Sequence, residues 1–266
     1  MTERGKMPGV EAILATAGPS VDVAVAVRAI ESGTSWAVNG ETPFPAASTI
    51  KAAILVALYR AVDAGRVDLE RRVAVDAAAK VLGSGVLTWL ADGLALSIRD
   101  LAFLMIAISD NTASNLVIDA VGLAAVRATI ADLGLRGTEL NRRFIGCLPD
   151  PGMPENWTTA ADLAHLFAAI ATDRAASPAA CAAMRATLAL QQHRARLPRL
   201  LPETFAYAGK TGSLPGIAHD AGLVTTPRGT LALAILTRGC ADPWVADELI
   251  GRVARAAIVD AGLGEV

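Results

Sequence analysis

Aromatic residues are scarce in this chain, at 4% of 266 residues, although 53% of the residues are hydrophobic. The core must therefore be aliphatic and alanine-rich, which suits closely packed helices with small contact residues. Cysteine is rare too: Cys147, Cys181 and Cys240 are odd in number and lack metal-type spacing, so they read as plain thiols. Neither sign of charge is in excess, with 24 Lys and Arg against 26 Asp and Glu, a net charge of −2. That balance leaves no basic footprint for nucleic acid or an anionic membrane. The longest apolar runs, such as residues 101–108, are far too short to cross a bilayer. Glu3, Arg4 and Lys6 lead into no apolar stretch of a secretory leader, so the sequence as written reads as cytoplasmic; a processed secreted form would look the same. No Gly-rich phosphate loop, CxxC pair or HExxH string is present, so neither a cofactor nor a metal is called for.

Secondary-structure signals divide the chain into three stretches. A short helix over residues 8–17 precedes a Val-rich strand at 21–30, a turn at Gly33 and a returning strand at 35–38. From Ser48 the pattern turns helical, with Ile50, Ala53, Ile54, Ala57 and Leu58 recurring at helical spacing until Gly65. Residues 69–198 carry mostly helical signals, clearest at 99–108, 112–121 and 159–171. Strands resume at 205–210, 216–225 and 230–237, and an amphipathic helix over 244–261 closes the chain. The two ends thus predict a discontinuous sheet lobe, residues 8–61 with 199–266, and the middle a helical lobe, residues 62–198. A cleft between the lobes is the expected ligand site.

Three short strings carry the chemistry: Ser48-Thr49-Ile50-Lys51, Ser109-Asp110-Asn111 and Lys210-Thr211-Gly212. Ser48 and Lys51 stand three apart at a helix start, so their side chains share a face. A serine hydroxyl needs a nearby base to become a nucleophile. Lysine serves once burial and neighbouring positive charge lower its pKa, and the flanking residues here are apolar. Ser109 offers a hydroxyl to relay a proton between Lys51 and a leaving group. Asn111 offers an amide to Lys51 and to a substrate carbonyl, while Asp110 reads as a helix cap. On a strand beside the serine, Lys210 supplies positive charge and Thr211 and Ser213 supply hydroxyls for a substrate carboxylate. Gly212 allows close approach, and the backbone N–H groups of Ser48 and Ser213 would form an oxyanion hole. Taken singly, an N-cap serine, a capping turn and a strand end explain these strings equally well. Their order and settings speak for one site.

Together the strings resemble the class A β-lactamases and penicillin-binding proteins, over residues 22–260. Gly83-Ser84-Gly85-Val86-Leu87 and Gly212-Ser213-Leu214-Pro215-Gly216 add to the likeness. The resemblance implies an α+β fold, a five-stranded antiparallel sheet flanked by helices beside an all-helical lobe. It implies a monomeric serine hydrolase that forms an acyl-enzyme on Ser48 with a β-lactam, amide or ester bearing a carboxylate. Class A enzymes carry a Glu-x-x-Leu-Asn loop whose Glu activates the deacylating water. Aligning Leu140 and Asn141 puts Gly137 at that place, with Glu139 and Glu155 as the other acidic candidates. Weak β-lactam turnover is therefore expected. A D,D-peptidase or amidase, and a binding protein that traps β-lactams without release, remain as alternatives. His219 could orient a substrate carboxylate where the family often keeps an arginine.

Overall fold

The computed structural model describes residues 6–147 and 149–264. After α1 (Pro8–Leu14) come β1 (Asp22–Ala29), β2 (Ser35–Val38) and the two-residue β3 (Phe44–Pro45). A 3₁₀ turn, Ala47–Ile50, feeds α2 (Lys51–Asp63). The middle of the chain supplies β4 (Arg72–Val75), β5 (Leu94–Ser97), α3 (Ile98–Ala107), α4 (Asn111–Val121) and α5 (Leu123–Asp132). Then follow β6 (Trp157–Thr158), α6 (Ala160–Ala171) and α7 (Pro178–Ala189). The last third is β7 (Ala206–Leu214), β8 (Ile217–Thr226), β9 (Gly229–Arg238) and α8 (Pro243–Asp260).

The main sheet has five antiparallel strands, as the resemblance implied, and their order is β2-β1-β9-β8-β7. Strand periodicity of two decides what each face holds. In β1, Val23, Val25 and Val27 join the cluster that includes Val253, Ala257 and Ile258 of α8. The intervening Ala24 and Ala26 face the opposite cluster, with Leu163 and Phe167 of α6. Alternation in β9 is the same: Leu231, Leu233 and Ile235 on one side, Ala232, Ala234 and Leu236 on the other. Alanine on the inner face lets α6 lie close to the strands.

Two helices bridge the sequence-based division of the chain. α2, buried from Lys51 to Tyr59, contacts α3, α4, α5 and α7. α6 packs on β1, β8 and β9 although it lies within the stretch 62–198. That stretch also contains strands that helical periodicity did not reveal: β4 pairs with β5, and β6 pairs with β3 of the N-terminal stretch. These strands are two to four residues long, too short to show a period of their own.

Behind β7, close packing is enforced by glycine. The Tyr207 ring lies along the strand, and a Cβ on Gly209 would stand 2.4 Å from its hydroxyl oxygen. A Cβ on Gly222 would stand 3.0 Å from Tyr207 Cε2. The Tyr207 hydroxyl donates to Asp220 Oδ1 at 2.6 Å, and Asp220 Oδ2 accepts from Leu197 N at 3.0 Å. Gly209→Ala should therefore displace a buried ring and cost about 1–3 kcal/mol in urea unfolding. Gly18→Ala, where a Cβ meets nothing within 4 Å, should leave the midpoint nearly unchanged.

Candidate active site

The three strings converge. Ser48 sits in the 3₁₀ turn, half-exposed, and its hydroxyl has no hydrogen bond among the described residues, so it is free to rotate toward a substrate. Three residues on, Lys51 is fully buried. Its Nζ donates to Ser109 O at 2.7 Å, Ser109 Oγ at 3.1 Å and Asn111 Oδ1 at 2.8 Å. Burial, then the charge of Lys210, hold its pKa well below the usual lysine value, with Asp110 acting weakly the other way.

Ser109 is held in a left-handed conformation, φ +60°, and Asp110 accounts for how that turn persists. As the N-cap of α4, Asp110 accepts from Ala113 N through Oδ1, and from Val86 N and Leu87 N through Oδ2. One carboxylate thus joins the Ser109 turn to the 83–87 loop. Gly85, at φ +110°, passes so close that a Cβ would fall 2.2 Å from Asp110 Oδ2. Asn111 differs from its sequence-based role. Its Oδ1 serves Lys51, but its Nδ2 already donates to Leu82 O at 3.0 Å, so a substrate carbonyl would have to displace that contact.

β7 is the free edge of the sheet, and it lies beside the 3₁₀ turn. A Cβ on Gly212 would stand 3.0 Å from Ser48 N, which makes this the point where the strand approaches the nucleophile. Lys210 is fully buried and donates to Thr211 O at 2.9 Å. Burial brings its pKa down to about 7, opposed by Asp220 and aided by Arg196. Ser213 is exposed at the strand's end.

Sequence reasoning missed Arg196. Its guanidinium is nearly buried and donates to Ser213 Oγ at 2.7 Å, Gly212 O at 2.8 Å and His219 O at 2.8 Å. It also pairs with Asp247 at 2.6 Å. The cation beside the anion-binding strand is therefore Arg196, and His219 does not fill that place. His219 is fully buried, its Nε2 3.0 Å from Pro45 O and its Nδ1 accepting from Thr237 N at 3.2 Å. Burial lowers its pKa to about 4, so it stays neutral.

The loop between Leu140 and Trp157 corrects the alignment made from Leu140-Asn141. Gly137 N donates to Asp162 Oδ2 at 2.8 Å, and its Cα side abuts Thr159. Glu139 accepts from Asn141 at 2.8 Å. The loop residue that faces Lys51 is Phe144, its ring centroid 4.3 Å from Nζ. Asn115 fixes it there, its Nδ2 donating to Phe144 O and its Oδ1 accepting from Phe144 N. The loop is closed by the Arg142–Glu155 ion pair at 2.7 Å and by Asn156 Oδ1, which accepts from Asn141 N and Arg142 N.

Two cavities meet at Ser48. One, about 300 Å³, runs under this loop past Phe144, Ile145 and Cys147 to Leu214 and Pro215. Among the described residues its one lining carboxylate is Glu155, whose Oε1 accepts from Arg142 and Asn156 N. The other, about 340 Å³, is lined by Ser109, Arg194, Arg196, Thr211, Ser213 and Asp247 among others. Ser48, Ser84 and Ser213 border both.

Residues 9–261 match the model of the "Beta-lactamase enzyme family". A β-lactamase from Sphaerobacter thermophilus DSM 20745 superposes with TM-score 0.94 at 42% identity, covering 98% of this chain and 100% of that one. PBP-A superposes with TM-score 0.89 at 31% identity, covering 98% of each chain. A leucine-to-glutamate mutant of PBP-A, solved as its acyl-enzyme complex with penicillin G, does so with TM-score 0.88. Among curated proteins, β-lactamase PSE-4 of Pseudomonas aeruginosa is 31% identical over 124 residues. That match spans 46% of this chain and 43% of PSE-4, so less than half the length of the curated relative is covered. On its fold and on the match across nearly its whole length, the chain belongs to the β-lactamase enzyme family.

Proposed function

We propose that this protein is a serine acyl-transfer enzyme that is acylated on Ser48 by β-lactams and related amides or esters, and that it releases the acyl group slowly. The observation that carries the reading is Phe144, an aromatic ring in van der Waals range of Lys51 where a deacylating carboxylate would have to stand.

Acylation uses residues already in place. Lys51, favoured as the neutral amine by burial and by Lys210, takes the Ser48 proton as Oγ bonds to the substrate carbonyl carbon. The backbone N–H groups of Ser48 and Ser213 stabilise the oxyanion. Lys51 returns the proton through Ser109 Oγ, 3.1 Å away, to the departing nitrogen or oxygen as its bond to the carbonyl carbon breaks. Deacylation needs a water beside a base. Phe144 supplies no base and fills the space over Lys51, while Glu155 is committed to Arg142.

Intact mass after mixing with penicillin G should show a long-lived adduct, absent in Ser48→Ala; rapid steady turnover by the native protein would overturn the slow-release reading. Phe144→Glu places a carboxylate beside Lys51 and should raise the deacylation rate by about 10²–10⁴, read as adduct lifetime.

The acylation rate at limiting substrate should be bell-shaped in pH. It rises as Lys51 loses its proton, and it falls above about 7 as Lys210 loses the charge that attracts the substrate carboxylate. In Lys210→Arg the acid limb should remain and the alkaline limb should vanish, because guanidinium keeps its charge.

A further inference from the structure

The second cavity holds a cation that the acyl-transfer chemistry leaves unused. Arg194 lines it together with Arg196, Thr211 and Ser213. Its guanidinium carbon lies 5.5 Å from the centroid of the Tyr207 ring, within cation–π range. The ring beneath is fixed on three sides. Gly209 and Gly222 let it lie flat on β7 and β8, and its hydroxyl is tied to Asp220 at 2.6 Å.

Position along β7 gives the platform its meaning. Tyr207, Thr211 and Ser213 are separated by even numbers of residues, so they share one face of the strand. Arg194 therefore stands on the side of the strand that presents the two hydroxyls, further from Ser48 than they are. Arg196 is committed to Asp247, Gly212 O, His219 O and Ser213 Oγ. Among the described residues Asp247 is the one carboxylate lining this cavity, and Arg196 engages it at 2.6 Å. Among the described residues Arg194 has no carboxylate or carbonyl partner. It is an exposed guanidinium at the edge of a cavity that also holds Arg196, Thr211 and Ser213.

We propose that Arg194 is a second anion-binding residue, and that the preferred substrate has a leaving group with two carboxylates. One is held by the Thr211 and Ser213 hydroxyls in the field of Arg196, the other further along β7 by Arg194. This assignment rests on the acyl-transfer reading above. It names the chemical class of the departing half of the substrate, whereas the loop-lined cavity receives the acyl half. Arg suits the task because its planar fork takes a carboxylate through two parallel hydrogen bonds.

Thioesters test the idea with the acyl group held constant. Ser48 Oγ bonds to the carbonyl carbon, the C–S bond breaks, the Ser48 proton passes through Lys51 and Ser109 to the departing sulfur, and the free thiol is measured. Phenylacetyl thioesters of mercaptoacetate, mercaptosuccinate and 2-mercaptoglutarate give leaving groups with one, two and two carboxylates. In the native protein kcat/KM should be about tenfold higher for at least one dicarboxylate than for mercaptoacetate, and the ratio should shrink as salt is raised. Arg194→Gln should bring the ratio close to one, and Arg194→Lys should restore part of it. A native ratio near one, or a ratio unchanged in Arg194→Gln, overturns the assignment while leaving acylation of Ser48 intact. Absence of any Ser48 adduct with all three thioesters and with penicillin G overturns the acyl-transfer reading, and the Arg194 assignment with it.

Discussion

A lysine buried to completion without a carboxylate partner is the constraint on which the rest of this site depends. Among the described residues, Lys51 Nζ meets only the Ser109 carbonyl and hydroxyl, the Asn111 amide oxygen and the Phe144 ring. Burying an ammonium group costs several kcal/mol unless its hydrogen bonds are replaced, and otherwise the group sheds its proton. Here both responses are built in. Three acceptors compensate the charged form in part, and the low-dielectric surroundings and Lys210 favour the neutral one. This balance favours the neutral amine at Lys51, three residues from Ser48, and it holds only while water stays out.

Keeping water out is the work of three segments that are distant in sequence. Asp110 clamps the strained Ser109 turn to the 83–87 loop through its contacts with Val86 N, Leu87 N and Ala113 N. Asn115, one turn further along α4, takes both backbone groups of Phe144. The Arg142–Glu155 pair and Asn156 close the loop that carries that ring. The loops also touch directly: a Cβ on Gly146 would stand 2.1 Å from Leu82 O. Removing one member of such a set leaves the others unsatisfied in a dry place, which makes the arrangement cooperative.

How much of this was legible in the sequence follows from the range of the forces involved. Ser48, Lys51, Ser109 and the Lys210–Ser213 strand end could be read because each string pairs a chemical group with a local backbone signal: a helix start, a capping turn, a strand. Strands β1, β8 and β9 were equally plain, since burial on both faces writes short apolar runs bounded by turn residues. Phe144 was not legible. Its position is set by Asn115 and by loop closure, whereas the doublet Leu140-Asn141 pointed to Gly137, which binds Asp162 instead. Arg196 escaped for a similar reason. It lies in an irregular segment, and its partner Asp247 is 51 residues further on.

In the proposed acyl transfer, Phe144 would act on the two halves of the reaction in opposite directions. By excluding water it helps deprive Lys51 of solvation, which favours the neutral amine that the proposed mechanism needs to activate Ser48. By the same exclusion it denies the ester a water molecule and offers no oxygen to orient one. A carboxylate at that position would do the reverse: it would hold a water, and its charge would favour the ammonium form of Lys51. An enzyme that must hydrolyse quickly accepts that cost to the base, because a second base then shares the work. A site that keeps the ring invests instead in the first step. On this physical ground, the fast acylation and slow release proposed for the site would be two outcomes of one side chain.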